Sequence, residues 1–445
     1  MSAKKFKIVV VGGGPVGLTA AHALYKAGID FVVLESRHDV VVDRGAAMVL
    51  GPNNLRVMRQ LGLYDRIMGI GAESLYAKGF LLNGRVFKDV PELRTLKRNH
   101  GVGLVTFHRA QLIQEFYDAL PDEAKARYLT GKKVSGIESG DQGVKVTCTD
   151  GSTYEGSIVL GADGVHSITR RIMRQLALAE DPKRDWDPEN PYKAEYRCMW
   201  SSFPRPPDSA PGQAFETPGQ DLSLMFLTGR DRGWIMLYDR FPEPTSERHT
   251  YTEKDVEAFA ARLADYPVNE TLKVKDVFAQ RQTSGMADLE EGIAEHWSWG
   301  RIVLAGDACH KFTPNAGLGL NNAIQDIVAL FNGLHAAVLA APDGQPDNET
   351  LARVFKTYRE QRLEALKGDY GRSALVTRLQ AWATRLYWFL NRFIFSSSFV
   401  ANFMINYVAS PGLRKGLVLD YVPATDLPAG RVTWEHELPK PLAVE

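Results

Sequence analysis

Lys7-Ile8-Val9-Val10-Val11 runs into Gly12-Gly13-Gly14-Pro15-Val16-Gly17, and residues 18–26 follow with helical character. Phe31-Val32-Val33-Leu34 is a second apolar run, and it ends on Glu35, 18 residues beyond Gly17. The order is strand, G-x-G-x-x-G turn, helix, strand, acid, which is what a dinucleotide site requires. Gly12 permits the tight turn, Gly14 lets a pyrophosphate approach the backbone, and Gly17 lets helix and strand pack closely. Free N–H groups at the helix start attract phosphate, and Glu35 can accept hydrogen bonds from ribose hydroxyls. A glycine-rich turn alone is only a turn. The flanking strand, helix and acid make it a dinucleotide site.

Working outward, 445 residues predict two or three domain-sized units. Lys and Arg number 53, as do Asp and Glu, so no net field favours nucleic acid or an anionic membrane. Cys148, Cys198 and Cys309 are far apart in sequence and have no metal-type spacing. A reducing compartment is expected. The first strand begins too early for a secretory signal, and no 18 residues are uninterruptedly apolar, which predicts a cytoplasmic protein. The aromatic-rich stretch 382–408 reads as a helix packed on the body, with a peripheral membrane contact or a hydrophobic substrate entrance as its rival.

Two more stretches carry chemistry. A buried run, 157–160, enters Gly161-Ala162-Asp163-Gly164, either a second cofactor turn or simply a strand-to-helix turn that needs glycine. A third strand, 299–305, delivers Gly306-Asp307 and then the glycine-rich segment 314–320 to a helix expected over 322–339. A helix N-terminus there can stabilise an anionic ring. Between these motifs, 194–203, 222–228 and 234–241 read as strands, with a proline-rich loop at 204–218 and one helix at 253–264. This pattern predicts an antiparallel sheet inserted between halves of the nucleotide domain.

As a set, Gly12-x-Gly14-x-x-Gly17, Gly161-Ala162-Asp163-Gly164 and Gly306-Asp307 resemble the three fingerprints of the group A flavoprotein monooxygenases, the p-hydroxybenzoate hydroxylase-like family. The resemblance covers about residues 5–370. Residues 289–319 and Leu419-Asp420-Tyr421-Val422-Pro423 are most similar to the fungal branch, which oxidises meroterpenoids, prenylated indoles and aromatic polyketides. The implied fold is α/β. A Rossmann-type FAD-binding domain comprises 1–180 and 285–370, a mainly antiparallel-sheet substrate domain spans 181–284, and a helical C-terminal segment covers 371–445.

The resemblance implies non-covalent FAD. Glu35 would hold the adenosine ribose, Gly14 the pyrophosphate, Arg109 the FAD and Asp307 the ribityl chain. Arg44, Gly45 and Ala46 would lie near the flavin, and Pro314, Gly317, Gly319 and Leu320 would border its ring. Asp163 belongs to a motif that serves both FAD and the nicotinamide. Tyr196-Arg197 resembles a Tyr-Arg pair of polyketide-hydroxylating relatives, so Arg197 is a catalytic candidate, with Tyr238 beside it. A strand arginine is otherwise a surface residue. Trp200, Met225, Phe226 and Met236 read as cavity lining or core, and His310 as a structural hydrogen-bonding residue.

The implied chemistry needs no metal and no nucleophile. NAD(P)H reduces FAD, O₂ adds at the flavin, and one oxygen atom passes to a small hydrophobic substrate by hydroxylation or epoxidation. An oxidase or dehydrogenase, a reductase of the same fold and a silent flavin-binding protein are the alternatives. Oligomeric state and the choice of NADH or NADPH are open at this level.

Overall fold

The computed structural model describes residues 5–43 and 47–441. Lys7–Val11 is the middle of a six-stranded sheet. It pairs in parallel with Asp30–Leu34 on one side and Ile158–Gly161 on the other. Ile302–Leu304 adds a further parallel strand next to Ile158–Gly161, and Tyr128–Leu129 closes the opposite edge. These strands are apolar along their whole length because helices cover both faces. Pro15–Ala27 and Leu318–Ala340 pack on the sheet and on each other. Leu318–Ala340 is apolar enough to span a membrane by composition, yet its first turns are core. All three fingerprint turns therefore leave the same, C-terminal edge of one parallel sheet, where α/β proteins bind ligands.

The second sheet has eight strands. Their order is His310–Lys311, Thr283–Ile293, Lys193–Pro204, Arg232–Thr245, Leu222–Thr228, Gln213–Gly219, Tyr76–Phe80 and Val86–Val90. Every pairing is antiparallel except that of Gln213–Gly219 with Tyr76–Phe80. The sheet is thus wider than the expected insert 181–284. It recruits a hairpin from within 1–180 and runs on through residue 293. Alternation within a strand does not encode which distant strand it joins. The expected loop 204–218 is also shorter, because Gln213–Gly219 is a strand.

Register sorts this sheet into two faces. Met199, Phe203, Phe226, Ile235 and Leu237 pack under the helix Glu253–Arg262. Cys198, Trp200, Leu227, Trp234, Met236 and Tyr238 point the other way, toward Ala47 and the nucleotide-binding half. Phe226, read as cavity lining or core, belongs to the helix-covered face.

Asn348–Gln380 is one 33-residue helix, capped by the Asp347 side chain accepting from the Thr350 N–H at 2.8 Å. The sequence reads Asn348 or Thr350 as the cap of a helix to about 368 that continues or restarts to about 395. No proline or capping residue interrupts the run near 368, so the helix continues. Beyond it, short helices Arg385–Phe389 and Ser398–Met404 continue into π-helical turns.

Candidate active site

The first fingerprint builds a phosphate-sized opening. Gly12 has φ +103°, and a Cβ there would lie 2.5 Å from the Ala162 carbonyl. A Cβ on Gly17 would strike the Gly12 carbonyl. Gly14 is different, because nothing lies within 4 Å of where its Cβ would stand. It is the N-cap of Pro15–Ala27, and no side chain caps that end. The helix therefore presents its N-terminal dipole to open space. Glu35 is held at the rim, with Oε2 accepting from the Gly13 N–H at 2.8 Å and Oε1 from the Arg37 N–H at 2.9 Å. Oε1 also accepts from Ser36 Oγ at 3.2 Å, so it is Oε2 that keeps a lone pair for a ribose hydroxyl. A cleft of about 230 Å³ follows, lined by Gly12, Leu34, Ser36, Lys132, Val134 and Asp163. Open backbone at a helix start, an oriented acid and this cleft fit an FAD.

Arg109 opens the helix Arg109–Asp118. Burial and then Arg37 depress its pKa, while Asp307 and Glu35 oppose them. Its guanidinium therefore lies within electrostatic reach of the acids of the first and third fingerprints.

Asp163 faces its own turn. Its Oδ1 accepts from Ser167 Oγ at 2.5 Å, and its Oδ2 from the Thr169 N–H at 2.9 Å and Thr169 Oγ1 at 3.0 Å. The carboxylate thus organises the start of Ile168–Glu180. From that helix, Arg170 donates to the Ala308 carbonyl at 2.9 Å and the Val165 carbonyl at 2.8 Å, locking the second fingerprint to the third.

The third turn is a 3₁₀ turn, Gly306–Ala308, with Gly306 at φ +64°. Asp307 is half-buried and paired with Lys311. Behind it, Asp326 accepts from the Gly306 N–H at 3.0 Å, from Arg362 Nε at 2.9 Å and contacts His310 Nε2 at 2.5 Å. Burial pushes the Asp326 carboxyl up, but His310 and Arg362 outweigh it and hold it below the usual carboxylate range. Cys309 completes a close group with His310 and Asp326. Burial raises its thiol well above the ordinary value, and the Arg362 guanidinium pairs with the Asp326 carboxylate at the centre of the group. His310 is structural, as its sequence context indicates.

Pro314 lies in a short 3₁₀ turn, and Gly317, at φ +65°, starts Leu318–Ala340. Gly319 stands where a Cβ would come 3.9 Å from Asp307 Oδ1. Leu320 is half-buried against the core. Asn321 knits this segment together. Its Oδ1 accepts from the Gly51 N–H and Asn54 Nδ2, and its Nδ2 donates to the Val49 and Gly317 carbonyls. Pro314 to Leu320 and Asp307 thus share one wall with the strand Ala47–Leu50. Arg44, Gly45 and Ala46, which precede that strand, lie outside the described residues.

The two catalytic candidates part company. Arg197 stands opposite Asp239, pairs with it at 2.6 Å, and stacks over Phe241 and Phe259 on the helix-covered face. Tyr238 is one residue out of phase and points toward the nucleotide half. The period of two that places neighbours on opposite faces keeps Arg197 off the face that packs toward Ala47. Tyr238 is fully buried, and its Oη has no hydrogen-bond partner among the described residues. Ser223, directly across on the next strand, is likewise buried with an unpartnered Oγ, as is Trp234 with its Nε1.

Sequence reading missed a polar chain on the same face. Asn315 Nδ2 donates to Gln380 Oε1 at 2.7 Å, and Gln380 Nε2 to Glu216 Oε2 at 2.7 Å. Lys88 Nζ lies 3.4 Å from Glu216 and 3.5 Å from Glu92. Burial pushes Glu92 up, while Lys88 opposes it. Glu216 was hidden because its strand was read as loop. The only available signal was an acid flanked by apolar residues in Gln213-Ala214-Phe215-Glu216.

A family model described as an FAD binding domain matches residues 5–367. The FAD-dependent monooxygenase nodM of Hypoxylon pulicicidum is 32% identical over 435 residues, covering 95% of this chain and 90% of that one. The FAD-dependent monooxygenase cdmI of Talaromyces verruculosus is 32% identical, covering 94% and 88%. Among solved structures, Klebsiella pneumoniae HpxO complexed with FAD and uric acid superposes with a TM-score of 0.71 at 22% identity, over 91% of this chain and 97% of that one. That likeness speaks for the fold. NAD(P)H is the co-substrate typical of the family. The fingerprints, the cleft they line and fungal relatives that align over nearly the whole chain agree that this protein belongs to the FAD-dependent monooxygenases.

Proposed function

We propose that this monooxygenase inserts one oxygen atom from O₂ into an apolar secondary metabolite larger than a simple phenol, such as a prenylated indole, a meroterpenoid or an aromatic polyketide. The observation that carries this reading is the inner sheet face, where Trp200, Met225, Trp234 and Met236 surround the unpartnered Tyr238 Oη. An apolar wall with a few buried polar atoms is the usual composition of a small-molecule pocket. Reduced by NAD(P)H, bound FAD supplies the activated oxygen for hydroxylation or epoxidation.

The chain's own residues bind, orient and exclude water. Gly14 and the helix start receive the pyrophosphate, Glu35 the ribose, and Asp307 the ribityl hydroxyls. Arg109 adds charge between them. Pro314 and Gly317 to Leu320 border the ring. FAD is held non-covalently. Burial keeps the Tyr238 phenol protonated, so it donates a hydrogen bond to a substrate oxygen, with Ser223 as a second contact. Glu216, steadied by Lys88 and Gln380, accepts from a substrate O–H or N–H. In this division of labour, 1–180 and 285–370 serve FAD, 181–284 serves the substrate with help from 76–90, and 371–445 closes the C-terminal side.

The test is substrate-stimulated NAD(P)H oxidation with O₂ uptake, run on prenylated indoles, terpenoid quinols and phenolic polyketides, with mass spectrometry of products. A product heavier by one oxygen supports the reading. Stimulation by small benzoates alone would overturn the substrate class, and a protein that cannot be reconstituted with FAD would overturn the whole.

A further inference from the structure

The C-terminal helices are amphipathic the wrong way round for a soluble protein. Arg385–Ile394 and Ser398–Leu413 meet at a bend of 100°. Their polar side chains are spent on the body. Trp382 Nε1 donates to Asn391 Oδ1, and Thr95 Oγ1 to Asn402 Oδ1 at 2.6 Å. Asn99 Nδ2 donates to both Asn406 Oδ1 and Ser410 Oγ. The large apolar side chains point out. Leu386, Phe389 and Phe393 on the first arm are about half exposed or more, and on the second Phe399 reaches 79% and Tyr407 70%, with Phe403 between them. Scattered exposed apolar residues need no explanation, but a contiguous aromatic patch does.

Charge selects the occupant. From 370 to 419 the chain has no Asp or Glu, while Arg385, Arg392 and Lys415 flank the patch. Aromatic side chains framed by cations, on a segment with no acid of its own, fit an anionic lipid interface. Arm length sets the depth. At 1.5 Å per residue the arms rise roughly 15 and 24 Å, short of the ~30 Å hydrocarbon core. The sharp bend also keeps them from joining into one span. Position gives the patch a use. Ala401, on the second arm, packs on Ala77 and Val90 at the edge of the inner sheet face, and Arg392 stacks over Phe87.

We propose that residues 385–413 form a monotopic docking surface for anionic lipid, seated beside the inner face of the eight-stranded sheet so that apolar substrates pass from the bilayer interface toward the flavin. Docking needs no substrate, so its test stands apart from the substrate reading above.

FAD-loaded full-length protein is floated with phosphatidylcholine vesicles, with and without phosphatidylserine. Wild type should co-float with the anionic vesicles, less with neutral ones, and less at high salt. Phe393→Ser with Phe399→Ser should lower partitioning by roughly tenfold per side chain while the flavin spectrum and size-exclusion profile stay as in wild type. Arg385→Glu with Lys415→Glu, which leaves the aromatics in place, should remove the preference for anionic vesicles. Quenching of Trp388 fluorescence by brominated lipid reports insertion in wild type without any variant. Wild type that floats with neither vesicle, and shows no quenching, overturns the proposal. So does concentration-dependent dimerisation that the serine variant abolishes, because a second copy would then be the occupant.

Discussion

Two buried polar systems in this molecule are equally dry and differ in one respect. Around Asp326, the Gly306 N–H, His310 and Arg362 converge on one carboxylate, so both of its oxygens are satisfied, and the far ring nitrogen of His310, Nδ1, has no partner among the described residues. Around Tyr238, buried donors and acceptors on neighbouring strands have no partner among the described residues. Native proteins leave few buried polar atoms unpaired, because each costs about 1–3 kcal/mol. A carboxylate with its donors in place holds a turn, whereas unpartnered hydroxyls on neighbouring strands leave hydrogen bonds for a ligand to make. The contrast also separates Arg197, whose partner Asp239 is in place, from Tyr238 one residue away in phase.

The sharpest way to break that contrast is Asp326→Ala. It strands Arg362 and His310 in the core, and removing one partner of a buried pair costs about 3–5 kcal/mol. Chemical denaturation of the holo-protein should show that loss, together with weaker FAD binding as the Gly306–Asp307 turn loosens. Unchanged stability would mean that the cluster is not the support described here.

Acid should act next. Burial depresses His22 to about 4, against its bond to the Phe116 carbonyl, and depresses His100 to about 4 with both ring nitrogens unpartnered. Their unfolded value is about 6.5. Between those values the unfolded chain binds more protons, so stability falls as pH drops from 6.5 toward 4. Melting temperatures across that range should decline, and His100→Phe should flatten the decline. An equally steep decline in that variant would exonerate His100.

Tyr238→Phe sharpens the contrast from the other side. Deleting an unpartnered hydroxyl should leave the substrate-free melting temperature unchanged or higher. Losing one neutral hydrogen bond of about 0.5–1.5 kcal/mol should lower kcat/KM roughly two- to tenfold. A lower melting temperature with normal kinetics would make Tyr238 a core residue. The smallest effect belongs to Arg197→Met, at about 1 kcal/mol or less because Arg262 stays paired with Asp239 at 2.9 Å, with kinetics unmoved. A raised KM there would return Arg197 to the substrate site.

Some of this was legible in one dimension and some was not. The glycine turn, Glu35 and Gly306-Asp307 could be read because each is a local requirement: a tight backbone, an acid at a strand end, a helix start. Asp163 could be recognised but not oriented, since a carboxylate at a helix entrance serves a cap as readily as a ligand. Glu216, Lys88 and Gln380 were invisible as a group, because they come from three distant segments and meet only across a parallel strand pairing. Asn321 looked like one more helix residue until four partners from three segments converged on it.

Read alone, the chain determined that a dinucleotide sits on a parallel sheet and that an antiparallel sheet is interposed, because both follow from patterns a few residues long. Only the tertiary structure decided which face of that second sheet packs toward Ala47 and the nucleotide-binding half and which buried atoms there have no partner among the described residues. It also decided that the aromatic helices turn their asparagines inward. Those outcomes depend on register and on contacts between residues hundreds of positions apart, and a one-residue slip of Lys193–Pro204 would have turned Arg197 to the face that Tyr238 occupies.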